Sequence, residues 1–221
     1  MGNQREQLIR AERVRELAEN ISTKQFVQKY SYGITILESM ITGYGRKCDQ
    51  RLGRSIVDTV VYRLKTAESI ADKLEKKGYE ISLTNAVEQL SDLAGIRVIC
   101  SFCDDVYRMD EFLQQRNDIA ICRRKDYIRN PKESGYRSIH LIVEMDYPLG
   151  AAGEKVRLEV QIRTVAMNYW AKLDHQLCYK TGGRRSGQSI EQIRRELRTY
   201  AEEISGIDEK MLNLRKRIEE I

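Results

Sequence analysis

The spacing of apolar residues along the chain changes from a helical period to a strand period and back. Residues 4 to 30 predict a charged helix, because apolar side chains recur there at intervals of three and four. These side chains are Ala11, Val14, Leu17 and Ile21. Glycines at positions 33, 43, 45 and 53 favour a short helix over about 34 to 41, followed by a loop.

A second helix is predicted from Ser55, a suitable N-cap, to Lys77, with Gly78 ending it. Its apolar stripe comprises Val57, Val60, Val61, Leu64, Ala67, Ala71 and Leu74. At about 100° per residue, the opposite face collects Lys65, Ser69, Lys73 and Lys76. This basic face is either a grip for phosphates or an ordinary solvated surface.

Alternating segments predict strands over Ile96 to Phe102, Ile119 to Arg124, Ser138 to Tyr147 and Lys155 to Arg163, with a helix over about 104 to 116. The fold class is therefore α+β. In the last strand one face is apolar and the other is polar, namely Lys155, Arg157, Glu159, Gln161 and Arg163. Ser138, His140 and Glu144 alternate in the same way on the preceding strand. Two adjacent polar strands predict either a concave site or a simple solvated face.

The last part of the chain predicts a helix from Val165 to Lys180, a basic linker from Thr181 to Gly187, and a long terminal helix. Apolar residues keep a heptad spacing along that terminal helix. They are Ile190, Ile193, Leu197, Tyr200, Ile204, Ile207, Met211, Leu214, Ile218 and Ile221. Such a stripe must pack lengthwise against another helix.

Composition excludes several protein classes. Apolar residues make up 41% and charged residues 32% of 221 residues, and only 2 are proline, so a disordered or collagen-like chain is a poor fit. No apolar run is long enough to span a membrane and the N-terminus lacks a signal-peptide core, which predicts a cytoplasmic protein without membrane contact. The net charge of +5 favours anionic ligands.

Two carboxylates suggest chemistry on the predicted sheet. Asp92 precedes the first predicted strand and Glu159 lies on the last. Such a pair can hold a magnesium ion that also binds phosphate oxygens, and nearby lysines and arginines can neutralise a polyphosphate. From these residues alone, unrelated surface carboxylates remain the alternative.

Longer motifs add a specific resemblance. The segments are Asp92–Arg97 (DLAGIR), Asp126–His140 (DYIRNPKESGYRSIH), Glu159–Thr164 (EVQIRT) and Ala166–Trp170 (AMNYW). In this order they resemble the synthetase domain of the RelA/SpoT family of (p)ppGpp synthetases, over about residues 56 to 180. The resemblance implies a nucleotidyltransferase-like mixed sheet flanked by helices, and transfer of a pyrophosphoryl group from ATP to the 3′-hydroxyl of GTP or GDP.

The same resemblance assigns roles to individual residues. Asp92 would bind Mg²⁺ with the ATP phosphates, and Glu159 would share that ion and act as general base. ATP would be bound by Arg63 and Arg97 at the adenine and by Lys65, Ser69 and Lys73 at the phosphates. The acceptor nucleotide would be bound by Tyr136 and Asn168 at the base, by Lys132, His140 and Gln161 at phosphate or ribose, and by Arg123 and Lys125 in a basic RxKD motif. Without the resemblance, His140 would more ordinarily be a packed strand residue.

This sequence differs from the long members of the family, and the differences refine the expected function. The chain has only His140 and His175, so the histidine-rich hydrolase site is not expected. We therefore expect a small alarmone synthetase, a class that commonly forms homotetramers. Its expected parts are a helical N-terminal extension (1–54), the synthetase domain (55–181) and a C-terminal heptad helix (182–221).

Other functions remain open at this point. The same chemistry could act on an adenine nucleotide or on the 3′ end of tRNA, since Tyr136 can stack on any base. A catalytically inactive module that binds nucleotide or single-stranded RNA is a second alternative, although Asp92 and Glu159 would repel phosphate without a metal. A helical interaction protein is a third, and it leaves the polar strand face unexplained.

Overall fold

The computed structural model describes residues 2–180 and 187–221, with side chains described within 4–177 and 191–221. The elements are α1 (Gly2–Ile21), α2 (Lys24–Leu52), β1 (Val57–Leu64), α3 (Ala67–Lys76), α4 (Leu83–Gln89), β2 (Ala94–Cys100), α5 (Cys103–Gln114), β3 (Ala120–Asp126), β4 (Ile139–Asp146), β5 (Lys155–Thr164), α6 (Val165–Lys180) and α7 (Gly187–Glu219). No helix in these ranges is long and apolar enough to cross a bilayer. Most of the predicted linker, residues 181–186, lies outside the described residues.

Within the described residues, five strands form one mixed sheet in the order β1-β2-β5-β4-β3. Strands β2 and β5 run parallel, and the other neighbours are antiparallel. One face is apolar and is covered by α2 and α5. Val156, Leu158, Val160 and Ile162 of β5 are wholly buried there. These features confirm the α+β class and the predicted alternation of the last strand.

The N-terminal helices differ from the prediction. Instead of one helix over 4–30 and a short one over 34–41, α1 ends at Ile21 and α2 continues to Leu52. The break falls at Thr23, whose side chain accepts a hydrogen bond from the amide of Phe26 and caps α2. The glycines do not break α2, and two of them, Gly33 and Gly45, pack closely against the sheet. A Cβ atom on Gly33 would lie 2.6 Å from Leu158 Cδ1, so glycine lets the helix approach β5.

The predicted helix from Ser55 to Lys77 is wrong in its first half. Residues Val57–Leu64 form β1, which pairs antiparallel with β2, and the side chain of Val61 is 48% exposed rather than part of a buried stripe. A run rich in β-branched valines favours an extended chain, and pairing with β2 satisfies its backbone. Helix α3 begins after Thr66, whose hydroxyl accepts from the amide of Ser69. The short α4 was also missed.

The terminal helix α7 packs on α6 and α5. The indole Nε1 of Trp170 donates to the carbonyl oxygen of Leu197 at 3.1 Å, and the Thr164 hydroxyl donates to Asp208 at 2.6 Å. Only part of the heptad stripe is covered by this packing. Its outer members are about half exposed or more: Tyr200, Ile207, Met211, Leu214 and Ile218. The predicted member Ile190 lies outside the described side chains.

Candidate active site

Strand register gathers the polar residues of the sheet into two rows on the face opposite the core. Partners across a pleated sheet point to the same side, so each row shares one face. One row is Arg63, Gly95, Glu159, Ile142 and Arg123, and the next is Val61, Arg97, Gln161, His140 and Lys125. The second polar strand predicted from Ser138, His140 and Glu144 is thus adjacent to β5.

Gly95 leaves space in the middle of this sheet face, because it has no side chain. It stands beside Glu159 on the neighbouring strand, and a Cβ atom there would lie 3.3 Å from the Glu159 backbone oxygen. The missing side chain leaves a cavity of about 50 Å³ lined by Arg63, Asp92 and Glu159 among others. Both predicted metal-binding carboxylates therefore border one small cavity.

Asp92 is held by two lysines from different elements. Its Oδ2 accepts hydrogen bonds from Lys65 Nζ at 2.5 Å and from Lys73 Nζ at 2.6 Å. Burial acts to raise the pKa of Asp92, but the two lysines hold that pKa below its ordinary value. Burial also lowers the pKa of Lys65 despite its partner. Lys65 and Lys73 thus converge as predicted, but Lys65 lies between β1 and α3 rather than on a continuous helix face.

The residues present fit a magnesium ion. Asp92 Oδ1 is buried and has no hydrogen-bond partner in the described part of the chain. Glu159 lines the same cavity. The described side chains contain no group of three or more acidic, cysteine or histidine ligands, so protein atoms alone would not enclose the ion. One or two carboxylates completed by water and phosphate oxygens are the environment that Mg²⁺ prefers.

Glu159 accepts a hydrogen bond on each oxygen. Oε1 lies 3.0 Å from His140 Nδ1, and Oε2 accepts from Gln161 Nε2 at 2.8 Å. Burial acts to raise the pKa of Glu159, while the bonds from His140 and Gln161 outweigh it and bring that pKa below its ordinary value. The side chain is therefore an ionised carboxylate at neutral pH, as a proton acceptor requires.

A larger cleft of about 670 Å³ adjoins this cavity. Five of its lining residues are cationic: Arg63, Arg97, Lys132, Arg163 and Lys172. Tyr136, His140 and Gln161 form part of its floor, and α6 forms a wall through Ala171, Lys172 and Gln176. Burial, followed by the charge of nearby Arg63, lowers the pKa of Arg97. A cleft of this size and charge suits a nucleotide polyphosphate.

The aromatic ring at the cleft already has cationic neighbours. Lys132 Nζ lies 4.7 Å and the Arg163 guanidinium carbon 5.3 Å from the centroid of Tyr136. The electron-rich face of the ring attracts cations in this way. Lys132 also lies 4.8 Å from the centroid of Tyr127.

The remaining predicted residues are more scattered. Arg123 donates to the Ser91 hydroxyl at 3.2 Å, next to Asp92, whereas Lys125 lies over the Tyr127 ring at 5.9 Å. The Ser69 hydroxyl accepts from Thr66 in the first turn of α3. Asn168 lies one turn before the cleft wall of α6, and its buried Oδ1 lacks a described hydrogen-bond partner.

Gly95 and Arg163 are among the site residues that received no role from the sequence. Gly95 lies within the first motif, but only strand pairing reveals that its missing side chain forms the small cavity. Arg163 follows the polar alternation of β5, which was the available signal, yet its 2% exposure is a tertiary feature.

Comparison with known proteins identifies the family. Residues 62–184 match the model of the region found in RelA / SpoT proteins. The chain belongs to the RelA/SpoT family. This confirms the resemblance drawn from the four sequence segments.

Individual relatives of this RelA/SpoT chain match over most of its length. It is 37% identical over 190 residues to GTP pyrophosphokinase YwaC of Bacillus subtilis (strain 168), covering 86% of this chain and 89% of that protein. Identity to GTP pyrophosphokinase YjbM of the same organism is 35% over 199 residues, covering 89% and 90%. The crystal structure of small alarmone synthetase 2 from Bacillus subtilis superposes with a TM-score of 0.76 at 36% identity, covering 88% of this chain and 99% of that one. Small alarmone synthetase 1, bound to its product pppGpp, gives 0.76 at 32% identity, covering 88% and 97%.

Proposed function

We propose that the protein transfers the pyrophosphoryl group of ATP to the 3′-hydroxyl of GDP or GTP, making ppGpp or pppGpp. The observation that carries the proposal is the placement of Asp92 and Glu159 around one small cavity beside a cationic cleft. Relatives named GTP pyrophosphokinase, and a structural neighbour with pppGpp as its product, support the same reaction.

On the donor side, Arg63 and Arg97 would hold the adenine between their guanidinium planes. Both side chains line the two adjoining cavities, and two neighbouring cations favour a π-face between them. Lys65 and Lys73 would hold the phosphates next to Asp92, with Ser69 at the start of α3. Positioning and charge neutralisation of this kind supply most of the catalysis in phosphoryl-group transfer.

Asp92, through its unpartnered Oδ1, and Glu159 would hold Mg²⁺, which neutralises charge on the polyphosphate when bound. Glu159 would take the proton from the 3′-hydroxyl of the acceptor. The 3′-oxygen then bonds to the β-phosphorus of ATP, and the bond from that phosphorus to the α-phosphate oxygen breaks to release AMP. Atoms and charge balance without any further reactant.

On the acceptor side, the Tyr136 ring would stack on guanine. Lys132 lies over that ring in the free protein, so base stacking would displace it towards the acceptor phosphates. Asn168 would contact the base edge with its unpartnered Oδ1. His140, Gln161, Arg123 and Lys125 share two rows on the same sheet face, where they would contact ribose and phosphate.

Replacing Asp92 with asparagine is expected to abolish the magnesium dependence of ATP binding. Calorimetric titration should give a wild-type affinity for ATP that rises at least about 10-fold with Mg²⁺, and no such rise in Asp92→Asn, because the neutral side chain is a poorer ligand. Asp118→Asn is the matched control, since Asp118 pairs with Arg116 on the exposed surface. An Asp92→Asn protein with the full magnesium effect would contradict the proposed metal site.

Acceptor preference provides a further prediction. The basic Arg123–Asp126 segment predicts that GDP is used at least as well as GTP. Initial rates with both acceptors at matched concentrations test this, and Lys125→Glu should shift the ratio of kcat/KM values towards GTP if Lys125 contributes to it. A wild-type protein that strongly prefers GTP would show that the segment carries no such information.

The alternative functions can be distinguished by testing a panel of acceptor substrates. AMP formation from ATP and Mg²⁺ is measured with GDP, GTP, AMP or tRNA as the second substrate. The proposal expects fast AMP formation with the guanine nucleotides. Preferential reaction with AMP would favour the adenine-nucleotide alternative, preferential reaction with tRNA the tRNA alternative, and no reaction in any arm an inactive binding module.

We further propose that the protein is a homo-oligomer, with a tetramer expected from the resemblance. The outer stripe of α7 supports this, because five large side chains are about half exposed or more. The stripe borders a groove of about 490 Å³ formed with α6, where Val165 and Tyr169 are also exposed. Exposed apolar surface of this extent marks an interaction site on a globular protein.

A further inference from the structure

Arg163 is a buried cation that forms no ion pair with an acidic side chain in the described part of the chain. The side chain is 2% exposed, and among the described residues it donates to the hydroxyl of Tyr136 and the amide oxygen of Gln161. Burial lowers the pKa of Arg163 to about 10. A buried charge is costly unless it is paired or hydrogen-bonded, so the two hydrogen bonds of Arg163 need an explanation.

The first arm from Arg163 runs through Tyr136 and His140 to Glu159. A guanidinium can only donate, so Tyr136 accepts from Arg163 at 3.0 Å and retains its own proton to donate. The Tyr136 hydroxyl lies 2.8 Å from His140 Nε2 and is placed to donate that proton to it. His140 Nδ1 then carries the ring proton and donates it to Glu159 Oε1 at 3.0 Å.

The second arm runs through Gln161. Arg163 donates to the amide oxygen of Gln161, which fixes the orientation of that amide. The amide nitrogen then donates to Glu159 Oε2 at 2.8 Å. Both arms begin at one guanidinium, and every donor along them points towards Glu159.

We propose that Arg163 is a positioning residue whose two arms fix both carboxylate oxygens of Glu159 and direct the Nδ1–H group of His140 towards Glu159. The proposal rests on the proposed function, in which Glu159 is the general base. Each Glu159 oxygen retains a lone pair for the metal ion or the acceptor hydroxyl, so the arms orient the base without blocking it. In the same way, the Tyr136 hydroxyl is anchored while its ring is available for stacking.

The tautomer of His140 is tested without measuring activity. The sequence contains only two histidines, so ¹⁵N-histidine labelling of the full chain gives two imidazole patterns, assigned with His175→Gln. At about pH 8.5, where free imidazole is neutral, the proposal expects Nδ1 of His140 protonated and Nε2 unprotonated. Tyr136→Phe removes the donor to Nε2, so the Nε2 resonance of His140 should shift as this hydrogen bond is lost. An Nε2–H tautomer in the wild type, or an unchanged pattern in Tyr136→Phe, would overturn the first arm.

Kinetics test the effect on Glu159. Without either arm, Glu159 is held less firmly in the orientation that accepts the proton, so the transfer step slows while nucleotide binding is retained. Tyr136→Phe and Arg163→Lys should each lower kcat by about 10-fold. Because Tyr136→Phe keeps the ring, its KM for GTP should change by less than about 2-fold.

Arg157→Lys is the matched control, because Arg157 lies on the same face of β5 and pairs with Glu144. It should keep the wild-type kcat and KM. If Arg163→Lys does not fold, Tyr136→Phe alone decides the first arm. An active wild type with an unchanged kcat in both variants would overturn this inference, whereas a wild type without transfer activity would overturn the proposed function instead.

Discussion

Replacing Glu159 with glutamine is expected to lower kcat by about 10²-fold or more. The substitution removes the proposed base and one charged metal ligand while changing the side-chain volume little. The amide nitrogen of the introduced glutamine would also face a donor from His140 or Gln161. This breaks one of the two hydrogen bonds that Glu159 accepts. Single-turnover rates with saturating ATP and GDP measure the effect on the transfer step.

Glu144→Gln is the control for this prediction. Glu144 lies on β4 on the same sheet face and pairs with Arg157 and Lys155, outside both cavities. The control should retain near-native kcat, and both variants should retain the wild-type circular dichroism spectrum. Near-native turnover by Glu159→Gln would show that another group accepts the proton.

Introducing aspartate at both Ile207 and Leu214 is expected to convert the assembly to monomers. These side chains are 54% and 47% exposed on the outer stripe of α7. Complete burial of such side chains contributes about 1.5 to 3 kcal/mol each, and two buried carboxylates would oppose association further. Light scattering at micromolar concentration measures the mass.

The matched control introduces the same charge away from the stripe. Thr199→Asp with Asn213→Asp alters two exposed polar positions of α7 and should leave the mass unchanged. A monomeric wild type, or an Ile207/Leu214 double variant with the wild-type mass, would contradict the proposed interface.

The sequence predicts well those elements in which the apolar residues follow a single clear period. The alternation of Val156, Leu158, Val160 and Ile162 admits only a strand, and the structure buries all four. Residues 57–64 are ambiguous, since Val57, Val60, Val61 and Leu64 also match a helical period. Pairing with β2, which is distant in sequence, decides in favour of a strand. The glycines of α2 mislead for a similar reason, because close contact between Gly33 and Leu158 is a tertiary feature.

The candidate site, too, can be predicted from the sequence only in part. Motifs bring Asp92, Glu159 and Tyr136 forward as candidates, because their residue types suit metal, base and stacking roles. The sequence does not show that Lys65 and Lys73 share one oxygen of Asp92, since this depends on β1 ending where α3 begins. Nor does it assign a role to Arg163, because the two arms need the register of β4 against β5.

The product formed from ATP and GDP tests the central claim most directly. The full chain is incubated with Mg²⁺, GDP and ATP labelled at the β-phosphorus, and the products are identified by mass spectrometry and by the site of the label. We expect AMP and a guanosine tetraphosphate in equal amounts, with the labelled phosphorus attached to the 3′-oxygen. Formation of ADP with a singly phosphorylated product, or recovery of unchanged GDP, would contradict pyrophosphoryl transfer.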